Sequence, residues 1–234
     1  MLNNNYKRKI IMLKSERRKI TFREFDSYFK PLGYKSFKTG GDPTYLMKTD
    51  TIVVKFFMNF LDAQSIDISD MRISILEIEN YIIEIFGREY ISKKYFYDEK
   101  KYFLTTVFDG TFENIYDYKE LNTEEEILEF TKWYINYYEN EGKHFIETYS
   151  YLPNILKRMD ELMETKGYWS DILTGGVPHL FKGLIISKLC NDPNFNNKVS
   201  FVDNLFATKD ISKFLPYYEK LKERLKTIEP IYNV

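Results

Sequence analysis

Thr123-Glu124-Glu125-Glu126-Ile127-Leu128-Glu129-Phe130-Thr131-Lys132-Trp133-Tyr134-Ile135-Asn136-Tyr137-Tyr138 is the stretch on which the fold turns. Thr123 and Glu126 have capping-box spacing, so a hydroxyl and a carboxylate each satisfy a free amide at a helix start. At about 100° per residue, Ile127, Leu128, Thr131, Tyr134, Ile135 and Tyr138 share one face, which Phe130, Trp133 and Tyr137 widen. Only a narrow strip stays polar: Glu125, Glu129, Lys132, Asn136 and Glu139. The pattern predicts a helix to about Asn140, apolar over more than half its circumference and therefore covered on two sides.

Everything downstream of this helix reads as helical. The apolar spacing predicts helices at about 143–164, 177–191 and 214–228. Val177, Leu180, Phe181, Leu184, Ile185, Ile186, Leu189 and Cys190 leave little polar face, which marks the second of these as central. Within it, Gly183 permits close approach of a neighbour. Pro216 fits the first turn of the last helix.

Upstream, the signals turn to strand. A helix at about 21–32 comes first, with Thr21 and Glu24 at capping-box spacing, a Phe22/Phe25/Phe29 stripe and Gly33 as its stop. Tyr34–Lys38, Tyr45–Lys48 and Thr51–Phe60 read as strands, with a turn at Thr39-Gly40-Gly41-Asp42-Pro43. Ile75, Ile78, Ile82 and Ile85 step at helical intervals, predicting a helix over 70–86. Tyr95–Tyr97 and Tyr102–Phe108 read as a hairpin, with a short further strand at Ile115–Tyr118. The predicted class is α+β: an antiparallel or mixed sheet in the N-terminal half, with a helical C-terminal half packed on it. The expected organisation is a basic extension over 1–20, a sheet region over 21–120 and a helical region over 121–234, in one compact unit.

Composition bounds the function. The 234 residues include 20 Tyr, 19 Phe and 2 Trp, against 2 His, 1 Cys and 10 Gly. Histidine and cysteine supply most nucleophiles, proton shuttles and transition-metal ligands, so the chain reads as built to pack and bind. The wealth of Lys, Asn, Ile, Tyr and Phe matches an A/T-rich coding bias, which weakens the aromatics as evidence for a stacking site. A single Cys190 forms no internal disulfide and fits a reducing compartment. No signal-peptide pattern and no membrane-length apolar run is found, so a cytoplasmic location is expected. Met12 is an alternative start.

The net charge of −1 comes from 34 basic and 35 acidic residues, unevenly spread. Residues 1–23 hold eight Lys/Arg and one acid, yet the chain lacks the overall basic balance of a nucleic-acid binder. Residues 109–164 hold fourteen Asp/Glu and five Lys/Arg.

Candidate chemistry divides along the same lines. Gly40-Gly41 lacks a P-loop lysine and reads as a β-turn; the nucleotidyltransferase-like Asp50-Thr51-Ile52 has isoleucine where a second acid is needed. Asp62, Asp67 and Asp70 lack a calcium-loop pattern, and Asp70 reads as a helix-start acid. His144 and His179 have no second ligand at helical spacing; His179, at a helix start behind Gly175-Gly176 where the dipole favours the neutral form, reads as a packing or capping residue, with a base as the alternative. Cys190 reads as a buried, inert thiol. No metal site or cofactor is expected. The acid-rich span stands out, because aromatics interleaved with carboxylates can anchor and steer a basic protein. Its candidate partner-binding residues are Asp117, Glu120, Glu124, Glu125, Glu129 and Trp133.

Phe22-Arg23-Glu24-Phe25, the exit Pro31-Leu32-Gly33-Tyr34, the strand Val53-Val54-Lys55-Phe56-Phe57-Met58-Asn59 and the helix Ile127–Tyr138 together resemble small bacterial α+β proteins found beside secreted antibacterial toxins. Those are the immunity proteins that protect the producer. The resemblance covers about residues 20–140, leaves 141–234 uncovered, and carries over no functional residues. It implies a protein partner, in particular a basic toxin, and no active site. Two other readings stand beside it: a carboxylate-dependent hydrolase or transferase, and a structural or regulatory interaction protein. The oligomeric state is not encoded in any pattern found.

Overall fold

The computed structural model describes residues 12–39, 42–87, 104–166 and 168–234. Its architecture is α+β, with antiparallel strands in the N-terminal half and helices in the C-terminal half. Helix α1 spans Lys14–Phe29, β1 Lys35–Thr39, β2 Asp42–Lys48, β3 Ile52–Phe60, β4 Ile66–Ile68 and β5 Arg72–Ile75. Then come α2 Leu76–Phe86, β6 Val107–Phe108, α3 Glu124–Tyr137, α4 Lys143–Tyr149, α5 Leu152–Lys166, α6 Pro178–Leu189, α7 Phe195–Thr208 and α8 Leu215–Leu225. The strand order is β1-β2-β3-β5-β6, and β4 also pairs with β3. The register sets Phe37 against Thr44, Met58 against Ile68, Val54 against Ile73, and Ile73 against Val107.

The chain divides into two compact units that alternate along the sequence. The first comprises residues up to 47, then 56–69 and 112–141. Its core is aromatic. Phe29 lies 4.8 Å from Phe56, Tyr45 stacks on Phe56 at 5.0 Å, and Tyr134 meets Phe56 at 4.9 Å, all centroid to centroid. Burying each such ring contributes about 1.5–3 kcal/mol, so rings enriched by coding bias are nonetheless core here. Two tyrosine hydroxyls find partners: Tyr134 donates to the Ser69 carbonyl at 3.0 Å and Tyr45 to Asp26 at 2.8 Å.

The second unit comprises 48–55, 70–111 and 142–234. Helix α6 is its centre, with every residue from Leu180 to Ser187 buried. Phe181 stacks on Phe86 at 5.2 Å and meets Tyr218 at 5.8 Å. Ile78, Ile82 and Ile85 form the buried stripe of α2.

Several predicted elements move. Helix α1 begins at Lys14 and not at Thr21: Glu16 accepts the Leu13 amide at 3.1 Å, while Thr21 donates to the Arg17 carbonyl at 2.9 Å from inside the helix. Nor does the predicted basic extension over 1–20 stay apart from the core: Arg17 is buried, donating to the carbonyls of Leu61 at 3.2 Å and Ser65 at 3.3 Å. The predicted 70–86 helix is shortened to 76–86, because Arg72–Ile75 pairs with β3. Asp70 therefore precedes a strand and is no helix-start acid. The predicted 143–164 helix breaks into α4 and α5, since Pro153 is tolerated only in a first turn. Helix α7 was missed, and Ile115–Tyr118 forms turns where a strand was predicted. In the predicted hairpin, Tyr95–Tyr97, its turn and residues 102–103 lie outside the described residues, as do Gly40 and Gly41.

A candidate protein-docking face and two buried charge clusters

The acid-rich span belongs to the first unit and is built on the start of α3. The capping box is formed as predicted: the Glu126 amide donates to Thr123 Oγ1 at 3.2 Å, and the Thr123 amide to Glu126 Oε2 at 3.0 Å. The Asn122 amide reaches the same carboxylate at 2.6 Å. This cap consumes Glu126 and leaves Glu124, Glu125 and Glu129 exposed on the first turns, where the helix dipole favours negative charge.

The loop before α3 carries the rest of the face. Buried Leu121 anchors it, donating its amide to the Gln64 carbonyl at 3.0 Å. Buried Tyr116 packs on Phe130 at 5.4 Å and Trp133 at 5.2 Å, and the Lys119 ammonium sits 4.4 Å over the Tyr116 ring. Asp117 and Glu120 are exposed, with Glu120 accepting from the Asn122 side chain at 3.2 Å. Between them and beside them stand two large side chains that packing does not claim: Ile115 is 64% exposed and Tyr118 81%. Tyr118 also has a left-handed backbone, φ 57°. A non-glycine residue held there costs about 1–2 kcal/mol, so Tyr118 is unfavourable both in conformation and in exposure.

The structure thus brings the predicted residues onto neighbouring segments of one unit, with two differences of role. Trp133 is half-buried, touching Phe112 at 5.8 Å, Phe130 at 5.9 Å and Tyr134 at 6.1 Å, so it backs the face more than it projects from it. Glu124 is already paired with Arg23 at 3.0 Å. Ile115 and Tyr118 are not among the candidate contact residues, although both stand inside the acid-rich span 109–164. From Glu113 to Glu129 there are seven carboxylates and one lysine.

Sequence reading also missed two buried charge clusters, both in the second unit. In the first, Lys182 lies 3.1 Å from Glu79, both buried, and Thr106 donates to Glu79 at 2.7 Å while accepting the Ile75 amide at 2.9 Å. Buried Lys55 donates to Ser74 Oγ at 2.5 Å and to the Leu104 carbonyl, and Lys182 donates to the Thr105 carbonyl. Burial pulls the Lys55 ammonium down to about 7, against the opposing pull of Glu79. In the second cluster, Lys198 is buried between Asp192 at 2.6 Å and Asp160 at 2.5 Å. The Lys182–Glu79 and Lys198–Asp160 pairings join residues far apart in the chain, which no local sequence pattern encodes.

The remaining candidates have structural roles. Asp62 pairs with Lys14 at 3.2 Å, Asp70 with Arg72 at 2.8 Å, and Asp67 accepts from Asn59 at 3.4 Å. Among the described residues no group of three or more His, Cys, Asp or Glu is arranged to hold a metal ion. His144 is exposed. His179 points Nδ1 at the carbonyls of Gly175, at 2.9 Å, and Gly176; carbonyls only accept, so Nδ1 carries the proton. Burial lowers its proton affinity, against the opposing pull of the Gly176 and Gly175 carbonyls. Cys190 is buried and its thiol is pushed up to about 12 by burial, which makes it inert. No described helix is long and apolar enough to cross a membrane. No family model matches the chain, and no curated protein or solved structure matches it either.

Proposed function

We propose that the chain acts by binding a basic protein through the face formed by Glu113–Glu129 and Trp133, and that it is an immunity protein neutralising a cognate bacterial toxin. The observation that carries the binding reading is Tyr118. A large aromatic side chain, exposed and in a disfavoured conformation, stands among carboxylates on a loop pinned at both ends to the core. Strain kept at an exposed residue is a mark of function and not of packing. Carboxylates around an aromatic anchor steer a cationic partner and raise its association rate. The step from basic protein to toxin rests on the sequence resemblance over about residues 20–140. The hydrolase reading needs two acids facing each other across a cleft, whereas Asp117, Glu120, Glu124, Glu125 and Glu129 stand exposed.

The test is affinity capture from the producing strain with the wild type and with a Glu124→Lys/Glu125→Lys/Glu129→Lys variant, followed by growth assays. The expected result is a basic protein retained by the wild type and lost by the variant, whose expression arrests growth unless this chain is co-expressed. A captured partner held equally by both forms rejects the face. A partner harmless to growth rejects the immunity role while leaving the face standing.

A further inference from the structure

Two tyrosines on the loop before α3 put the same ring to opposite uses. Tyr116 is buried against Phe130 and Trp133, and the ammonium of Lys119 sits 4.4 Å over it. Tyr118 is 81% exposed, more than any other large apolar or aromatic side chain among the described residues. No cation of the described residues lies over its ring. The loop that presents it is bonded on both sides. The Asp117 amide donates to the Asn114 carbonyl, the Lys119 amide to the Tyr116 carbonyl and the Leu121 amide to the Gln64 carbonyl, each at 3.0 Å. A ring held in place before binding loses little freedom when a partner meets it.

The neighbours of the ring decide what can cover it. Asp117 and Glu120 stand exposed on the same loop. An apolar pocket closing over Tyr118 would take these carboxylates out of water without a counter-charge, which is costly. Lys119, the single basic residue from Glu113 to Glu129, is already engaged on Tyr116. The counter-charge therefore comes from the partner. A guanidinium suits the place better than an ammonium, because it lies flat on an aromatic face while its N–H groups reach carboxylates in its own plane.

We infer that Tyr118 seats an arginine side chain of the protein partner, its guanidinium stacked on the exposed ring and its edge turned to the carboxylates beside it. This rests on the reading of Glu113–Glu129 as the partner-binding face and adds the residue type that the face selects.

The test is titration of the full chain at low ionic strength with two blocked hexapeptides, hexa-arginine and hexalysine, followed by the backbone amide resonances of residues 117–120. Hexa-arginine should bind the wild type about two- to fivefold tighter than hexalysine, the scale of an exposed cation–π contact. Tyr118→Phe keeps the ring and should keep this preference. Tyr118→Leu keeps an apolar side chain and the same backbone demand, and should bind both peptides equally. Melting curves check that both variants fold. Equal binding of the two peptides by the wild type, or an arginine preference that survives Tyr118→Leu, would overturn the stacking while leaving the acidic face standing. Peptides that shift none of these resonances, or that bind the Glu124→Lys/Glu125→Lys/Glu129→Lys variant as tightly as the wild type, would overturn the face and the stacking with it.

Discussion

The Trp169 indole lies directly on Gly183: a Cβ at residue 183 would come within 2.4 Å of Trp169 Cε2 and 2.5 Å of Nε1. The ring has no room to yield. It is fully buried and its Nε1–H donates to the His179 carbonyl at 2.9 Å, back onto the same helix. Gly183→Ala gains about 1 kcal/mol in helix propensity, but overpacking against a fixed ring costs about 1–3 kcal/mol. With contacts this short the clash is set at the upper end, so the net loss should be about 1–2 kcal/mol. Urea unfolding measures it, and a gain in stability would contradict the close packing.

Removing the single carboxylate of the first buried cluster should hurt more than removing one of its lysines. Glu79 is the counter-charge for Lys182 at 3.1 Å and acts electrostatically on Lys55. Glu79→Gln leaves two buried ammonium groups without compensation, and breaking a buried pair in this way costs about 3–5 kcal/mol. Lys182→Met leaves Glu79 with Lys55, so its cost should be less than half as large. Equilibrium unfolding of both variants decides the order, and the reverse order would show that the cluster is not held by Glu79.

The same cluster should give the protein an alkaline rise in stability. In the unfolded chain Lys55 titrates near the ordinary lysine value of about 10.4, while in the fold burial lowers it to about 7. Below pH 7 both states hold the proton and the full burial penalty applies. Between about 7 and 10 the unfolded state binds more protons than the folded one, so stability increases with pH, by at most about 1.4 kcal/mol per pH unit for one group. Lys55→Met lacks this term. The stability of the wild type minus that of the variant should therefore climb between pH 7 and pH 10 in urea titrations; a flat difference would mean that Lys55 is not desolvated.

The parts of this fold that were legible are those where apolar period and cap chemistry coincide. Helix α3 carries both, and its predicted capping box is formed. Close approach at Gly183 was likewise readable from an apolar helix with one glycine. The reading slipped where a single signal had two meanings. Ile75 fits the helical steps of α2, yet it closes β5 opposite Ile52. Helix α7 has Val199, Val202 and Leu205 at helical spacing, but its asparagines and serine lower intrinsic propensity and hid it. Lys55 in the middle of Val53-Val54-Lys55-Phe56-Phe57 was a visible anomaly, a charge inside an apolar strand. What it pairs with was not visible, because Glu79 and Lys182 meet it only through the fold. On the candidate face, charge was legible from composition, whereas the exposure of Tyr118 and the half-burial of Trp133 depend on how the preceding loop turns.

Stability and binding should separate at Tyr118, and this is the sharpest test of the face. Glycine adopts φ 57° without the penalty that a tyrosine meets there. An 81% exposed ring contributes little to the core. Tyr118→Gly should therefore fold at least as stably as the wild type, with a gain up to about 1 kcal/mol. Trp133→Ala should instead lose about 2–3 kcal/mol, somewhat under the full cost of emptying a core site, since the indole is half-buried against Phe112, Tyr116 and Phe130. Against a captured basic partner, Tyr118→Gly should raise the dissociation rate with little change in salt dependence. Reversal of Glu124, Glu125 and Glu129 should mainly slow association and flatten the dependence on salt. Surface-binding kinetics at two ionic strengths, read beside melting curves, distinguish these. If Tyr118→Gly is destabilised, the residue serves the loop; if it is stabilised and binds unchanged, the partner docks elsewhere.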